Sequence, residues 1–568
     1  MKTVSTNSAA GITAAGITPP AMAKIRAFRG SGSGWLAAGA IIALAAILPF
    51  VALALQAVQG SAGLWPHLLS SILPVALRDT LILLGSVAVL TALLGTTLAW
   101  LVTAYDFRGR RLLEWALLLP LAVPTYIIAY AYLDLLHPIG PLQGAIRWLL
   151  GYASPREFRL PDIRSTAGCI LLLSLVLYPY VYMPVRAMFL MQSSTLLEAS
   201  RTLGVSRRGM FWRVALPLAR PAVAVGVSLA LMEALNDVGA AEFLGVRTLT
   251  VSIYTTWITR SDLPGAAQIA LLLLLLVVAL VSLERWARRR QRYTTGMQRS
   301  RPLEPRRLPA LAGFGLLLAG LLPVLLGFAV PVSHLAAEAF ARWQFAGISP
   351  RIFSEARNTI VLSCLATLLT VGCGLAVAYA CRVRPGRLAA TALRLASSGY
   401  AAPGTVIAIG VLIIAAGTDQ FVDRMAQAWL GVSTGLVLIG SGAALVFAYA
   451  TRFLAISAGS IDAGLARVNP SLDHAARSLG RTANNTLFSV HLPLTRPAIA
   501  AGALLVFVDC VKELPATLLL RPLNFETFAT HLYGEAARGT YEEASIAALA
   551  IVAVGILPVI VLSRIGRR

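Results

Sequence analysis

The sequence predicts an all-α integral membrane protein of about twelve transmembrane helices, built as two homologous six-helix halves. Three observations carry this expectation. The composition is 57% apolar and only 13% charged, with a mean hydropathy of +0.75, whereas soluble domains are roughly one-quarter charged. Apolar runs of about 20 residues, enough to cross a bilayer, recur along the chain. A polar, arginine-containing segment is also written twice, as EASRTLGVSRRGMFWRVALPLARPA from Glu198 and HAARSLGRTANNTLFSVHLPLTRPA from His474, an offset of 276.

Taken in order, the first six spans are expected near 34–57, 80–103, 113–133, 166–190, 221–242 and 266–283. The second six are expected near 309–332, 358–380, 390–415, 433–455, 497–518 and 543–562. Arginine collects in short loops on one side of this arrangement: Arg108, Arg110 and Arg111, the Arg201–Arg220 stretch, and the run from Arg285 to Arg307. The second half repeats it with Arg382, Arg384 and Arg387, then Arg477 to Arg496, then Arg564, Arg567 and Arg568. Positive charge in short loops marks the cytoplasmic side, so both termini are expected inside. The formal net charge of +23 lies in loops flanking the membrane rather than on one soluble face, which argues against a nucleic-acid partner.

The domain organisation follows from the spans. Residues 1–33 read as a cytoplasmic tail, 34–284 as the first half with its core repeat from about 76, and 285–308 as a basic cytoplasmic linker. Residues 309–563 form the second half with its core repeat from about 355, and 564–568 form a basic tail. The apolar run after the N-terminal tail exceeds the 7–15 residues of a cleaved signal peptide, which favours an uncleaved first span. The five cysteines, Cys169, Cys364, Cys373, Cys381 and Cys510, lie in or beside spans without C-x-x-C spacing, a pattern unlike a disulfide framework or a thiolate metal site.

The duplication reaches beyond the arginine-rich segments. Arg78-Asp79-Thr80 is matched by Arg357-Asn358-Thr359, and Pro124-Thr125 by Pro403-Gly404, both at an offset of 279. In the duplicated segment a glycine follows six residues after the start (Gly204, Gly480), and a Leu-Pro ends thirteen residues later at Pro217 and Pro493. Helix formers followed by glycine, which readily takes φ > 0 and closes a helix, predict a short helix, a turn and a second helix outside the membrane. Such a protrusion can seat in a groove of a partner; an amphipathic helix lying on lipid headgroups is the alternative. The spacing resembles the EAA loop, E-A-A-x-x-x-G with a distant L-P, of the membrane subunits of binding-protein-dependent ABC importers. That resemblance implies that Glu198, Ala199, Arg201, Gly204 and Pro217, and His474, Ala475, Arg477, Gly480 and Pro493, form two ATPase-coupling loops. One departure is that His474 stands where the leading acid belongs, beside Asp473.

No ATPase is expected in the chain. A Walker A motif needs Gly-Lys-Ser/Thr, and Lys2, Lys24 and Lys512 follow Met, Ala and Val. Charge inside the membrane is the other signal. Glu233 and Asp237 lie in LMEALNDVGAAEFLG, and 276 positions later Asp509 and Glu513 lie in FVDCVKELPATLLL beside Lys512. Spacing of i, i+4 places each pair on one helical face. Intramembrane charges cost about 2.5–3.5 kcal/mol by insertion scales, so they face a cavity, partner or pathway; the alternative is a scaffolding ion pair with Lys512 as its cation. No catalytic residues, metal cluster or phosphate loop are visible.

The segment from Lys512 to Pro522, with Asn524, Phe525 and Thr527, resembles the KELPATLLLRP-x-NF-x-T segment of ferric iron permeases. The resemblance covers nearly the whole chain. It implies an inner-membrane permease of a type I ABC importer, with a periplasmic binding protein delivering ferric iron and two copies of a cytoplasmic ATPase using ATP and magnesium, no cofactor being held by this chain. Permeases for thiamine, phosphonates including 2-aminoethylphosphonate, polyamines and oxyanions share parts of the pattern. A gradient-driven secondary transporter of two repeats, or a membrane scaffold without transport, would account for the spans but would not need the matched loops.

Overall fold

A computed structural model describes residues 19–61, 63, 65–191, 206–289 and 305–565. Among them, eleven helices are long and apolar enough to cross a membrane, and a bent pair raises the number to twelve. Apolar side chains such as Leu81, Val89, Leu93, Leu275 and Leu368 point outward and are exposed, as a lipid-facing surface requires.

The third span, expected near 113–133, is a bent pair: Arg110–Ala122 and Thr125–Leu135 meet at 90°. Pro124 is the cause. A residue before proline is driven out of the helical region, and Val123 accordingly lies at φ −106°, ψ 119°. At the matching position of the second half, Pro403 opens Gly404–Leu430, a helix long enough to cross alone. Two other spans end sooner than expected: Leu216–Asn236 stops at Asn236 and Leu492–Val511 at Val511. The first helix, Pro19–Gln59, begins inside the stretch expected as a tail.

Among the described residues, four π-turns, Leu68–Ile72, Phe211–Ala215, Leu325–Ala329 and Leu487–His491, each precede a helix whose second residue is proline: Pro74, Pro217, Pro331 and Pro493. A proline ring collides with the carbonyl four residues back and lacks an N–H to bond it; widening the preceding turn removes the conflict. The duplicated Leu-Pro is therefore a built-in bulge at the membrane end of each polar segment.

The chain forms two compact units. One comprises residues 1–46, 371–397 and 454–503. Its core packs Trp35, Tyr379, Ile461, Leu465, Ala483 and Leu487, with Tyr379 Oη donating to Ala483 O at 2.6 Å. The other comprises residues 47–370, 398–453 and 504–568. Its core packs Leu73–Ala104 against Thr166–Met191 and Leu216–Asn236, with Tyr178 Oη donating to Leu117 O at 3.0 Å. A two-residue parallel ladder joins Tyr105–Asp106 to Arg306–Arg307.

The threonines of the duplicated Arg-Asp-Thr and Arg-Asn-Thr motifs do the same work in both halves. Thr80 Oγ1 accepts from Leu249 N and Thr359 Oγ1 from Phe528 N, each at 3.0 Å. These amides open the Leu249–Ile258 and Phe528–Arg538 helices, capped by Thr248 and Thr527.

Candidate translocation cavity and coupling loops

Within the larger unit, the ends of several helices enclose a cavity of about 130 Å³ lined by Tyr126, Tyr180, Tyr400, Arg452 and all five charged residues singled out from the sequence. Those five are Glu233, Asp237, Asp509, Lys512 and Glu513.

The helix breaks explain the arrangement. After Asn236 the backbone extends at Asp237 (φ −74°, ψ 117°) and re-enters a short helix, Gly239–Phe243. Asp237 Oδ1 accepts from Ala240 N at 2.8 Å. The same break follows Val511, and Pro515–Leu520 begins the second short helix. Glu513 accepts from Ala516 N at 2.9 Å, Thr517 N at 3.1 Å and Thr517 Oγ1 at 2.8 Å. Each acid thus satisfies amides that a helix start leaves unpaired. This corrects the expectation of acid pairs on one helical face. Only Glu233 and Asp509 stand on the long helices; Asp237 and Glu513 sit at the breaks.

The charges are not equally engaged. Glu513 Oε1 lies 2.6 Å from Arg452 Nη1, and that pair is buried. Asp509 Oδ1 lies 2.8 Å from Lys512 Nζ, so Lys512 is tied to its own helix end rather than across helices. Glu233 is half-buried and has neither a hydrogen bond nor an ion pair among the described residues, although it lies within the fields of Arg452, Lys512 and Asp509. Asn236 Oδ1 accepts from Gly404 N at 2.7 Å. A Cβ on Gly404 would fall 2.5 Å from Arg452 Nη1 and 2.7 Å from Glu513 Oε1. A side chain there would have to displace the buried Arg452–Glu513 pair, which fits Gly404 standing opposite Thr125 in the repeat.

Arg452 was missed by the sequence reading. Its signal was an arginine inside the apolar Ala443–Ala466 helix, the same criterion that found the acids. Structural register identifies its first-half counterpart. A Cβ on Gly95 would touch Val181 and Tyr182, and one on Gly374 would touch Ser457 and Ala458, so Val176 stands where the second half has Arg452. A second cluster, Asp134, His334 and Glu338, was also invisible, because the sequence separates Asp134 from His334 by 200 positions.

The second polar repeat lies in the smaller unit. Pro470–Ser478 is a helix capped by Asn469, with Gly480 at φ +75° and Thr482 capping the next helix, Ala483–Thr486. Helix, turn and helix follow the sequence expectation. Asp473 is anchored to Arg382 Nη2 and His491 Nε2, both at 2.7 Å, whereas His474, Ala475, Arg477 and Leu479 are exposed. Of the first repeat, Glu198, Ala199, Arg201 and Gly204 lie outside the described residues; Pro217 follows the Phe211–Ala215 turn as Pro493 follows its own.

Residues 91–293 and 370–568 each match the family described as binding-protein-dependent transport system inner membrane component. The chain is 26% identical over 500 residues to the Fe(3+)-transport system permease protein FbpB 2 of Haemophilus influenzae, which covers 86% of this chain and 89% of that one. Shorter matches include the putative 2-aminoethylphosphonate transport system permease protein PhnU of Salmonella paratyphi A, 31% identical over 34% of this chain and 68% of that one. Another is the molybdenum transport system permease protein ModB of Escherichia coli, 29% identical over 37% of this chain and 92% of that one.

Proposed function

Because the chain belongs to the binding-protein-dependent transport system inner membrane component family, twice over in one fused multi-pass permease of the inner membrane, we propose that its cargo is ferric iron. The observation that carries this reading is the charge balance of the cavity. Four carboxylates meet two cations there, and both cations are held by Glu513 and Asp509. Among the described residues, Glu233 and Asp237 are left without a cation; Asp237 is committed by Oδ1 to capping the next helix, so Glu233 is the carboxylate freer to meet cargo. A hard cation is favoured by oxygen donors, whereas molybdate, sulfate or a phosphonate would face an uncompensated negative charge. The full-length similarity to an Fe(3+) permease points the same way.

In this reading a periplasmic binding protein delivers the iron. Two copies of a separate ATPase, which use ATP and magnesium, dock on the loops around Gly204 and Gly480, and both chain termini face the cytoplasm. ATP-driven closure rocks the helices that meet at the cavity. Asp237 and Glu513 hold the helix breaks rigid, Arg452 and Lys512 mask two of the acids, and Glu233 offers a transient oxygen ligand. Selectivity rests with the binding protein.

The test is uptake by proteoliposomes holding this permease, its ATPase and its binding protein. Labelled ferric iron should accumulate with ATP, and molybdate and 2-aminoethylphosphonate should not. Accumulation of either oxyanion in preference to iron would overturn the assignment of cargo.

A further inference from the structure

Asp134 ends the Thr125–Leu135 helix, and His334 and Glu338 lie four residues apart on Val330–Ala346. Spacing of i, i+4 puts the last two side chains on one helical face. His334 Nε2 is 2.8 Å from Asp134 Oδ2, and one donor atom from each of the three residues lies within 4.8 Å of the others. The imidazole is largely buried and the two carboxyls half-buried.

Among the described residues, the charge around this group does not balance. Glu338 lies within the fields of Asp134 and Glu542. Arg342, the nearby arginine on the same helix, is engaged with Glu543 at 2.7 Å. Even a protonated His334 would offset only one of the three carboxylates Asp134, Glu338 and Glu542. A cation of higher charge, bound by one imidazole nitrogen and two carboxylate oxygens, would offset the rest.

We propose that Asp134, His334 and Glu338 form a binding site for a divalent first-row transition metal ion, separate from the cavity that holds Glu233. The mixed donor set suits zinc, manganese or ferrous iron rather than magnesium or calcium, since imidazole is a poor ligand for hard alkaline-earth ions. Ligand bonds near 2.0–2.2 Å would draw Glu338 in by a side-chain rotation. The Thr125–Leu135 helix carries Thr125 and Tyr126 into the cavity at its other end. An ion at Asp134 would therefore pin to Val330–Ala346 a helix that lines the cavity, whatever the cargo.

The experiment is equilibrium dialysis of the purified, untagged permease against Zn²⁺, followed by metal analysis and thermal unfolding. The wild type should retain one equivalent and unfold at higher temperature with Zn²⁺, because an ion bound only to the folded state stabilises it. Millimolar Mg²⁺ should not displace it. His334→Gln and Asp134→Asn should each weaken binding by at least about tenfold, since loss of even an outer partner costs 10–100-fold. Glu338→Asp, which keeps a carboxylate, should fold normally and bind more weakly. Wild-type protein that retains no Zn²⁺ overturns the proposal without any variant. So does unchanged affinity in a His334→Gln/Glu338→Gln double variant.

Discussion

The two sides of the cavity share one backbone design and differ in charge. In the first half, Leu216–Asn236 breaks at Asp237, whose carboxylate caps the next helix. In the second, Leu492–Val511 breaks before Glu513, whose carboxylate does the same. Around these breaks Val176 stands against Arg452, Asn236 against Lys512 and Thr125 against Gly404. The second half carries two cations that tie up its acids, and in the first half Glu233 is untied. The capping acids Asp237 and Glu513 meet the same backbone need in both halves, whereas the cavity acids Glu233 and Asp509 differ in their partners.

The sharpest way to break this comparison is to remove the added cation. Arg452→Met leaves Glu513 buried without its partner, and losing one side of a buried pair costs about 3–5 kcal/mol. The variant should unfold at markedly lower temperature, and Glu513→Gln in the same chain should recover much of the loss because the amide oxygen still caps Ala516. Equal melting of Arg452→Met and wild type would mean that the pair contributes nothing to the second half.

The coupling loops give the next test. A side chain in the left-handed region costs about 1–2 kcal/mol, and Gly480 sits at φ +75°. Gly480→Val should reduce ATPase association while the permease still inserts, and Gly204→Val should do the same if the first loop turns likewise. A pull-down in which both variants hold the ATPase as wild type does would end the coupling assignment. Within this comparison Glu198→Ala should lower uptake more than His474→Ala, since Asp473 rather than His474 carries the ion pairs in the second loop.

Much of this architecture was legible in the sequence, and the illegible part has physical causes. Repeats, spans and intramembrane acids are local patterns. The break at Asp237 is not, because NDVGAA contains no proline, and only the capping hydrogen bond to Ala240 explains why the helix stops there. The bend at Pro124 was written in the chain, but its consequence depends on the length of the helix beyond it. Thr125–Leu135 is 11 residues long, too short to cross, while Gly404–Leu430 is 27. Asp134, His334 and Glu338 meet only through folding, so no spacing could reveal them.

Glu233 should separate function from scaffold. It is untied, so Glu233→Gln should leave thermal stability nearly unchanged while lowering iron uptake by about tenfold or more, a loss equivalent to about 1.4 kcal/mol. Asp509→Asn is the contrast, since it releases Lys512 into the cavity. Stability and uptake falling together in Glu233→Gln would return that acid to the scaffold and erase the difference between the halves.

The smallest expected effect lies away from the cavity, where the same rule of divergence on a common frame recurs. Thr80 and Thr359 make matching contacts, and in that register Ala76 and Ser252 of the first half stand where the second has Glu355 and His531. Burial alone would lower the His531 pKa, but the Glu355 carboxylate, bonded at 3.1 Å, with Glu535 and Glu526 nearby, outweighs it and raises the pKa above the ordinary value. A raised folded-state pKa means that the imidazolium stabilises the fold. That contribution is complete below about pH 6.5, the unfolded value, and disappears as pH rises through the higher folded value. With His531 partly exposed, about 1 kcal/mol or less is expected. Melting temperature measured against pH should therefore decline over that window in the wild type and flatten in His531→Gln, while Ser252→Ala leaves the profile unchanged. A His531→Gln profile parallel to the wild type would show that the pair does not distinguish the halves.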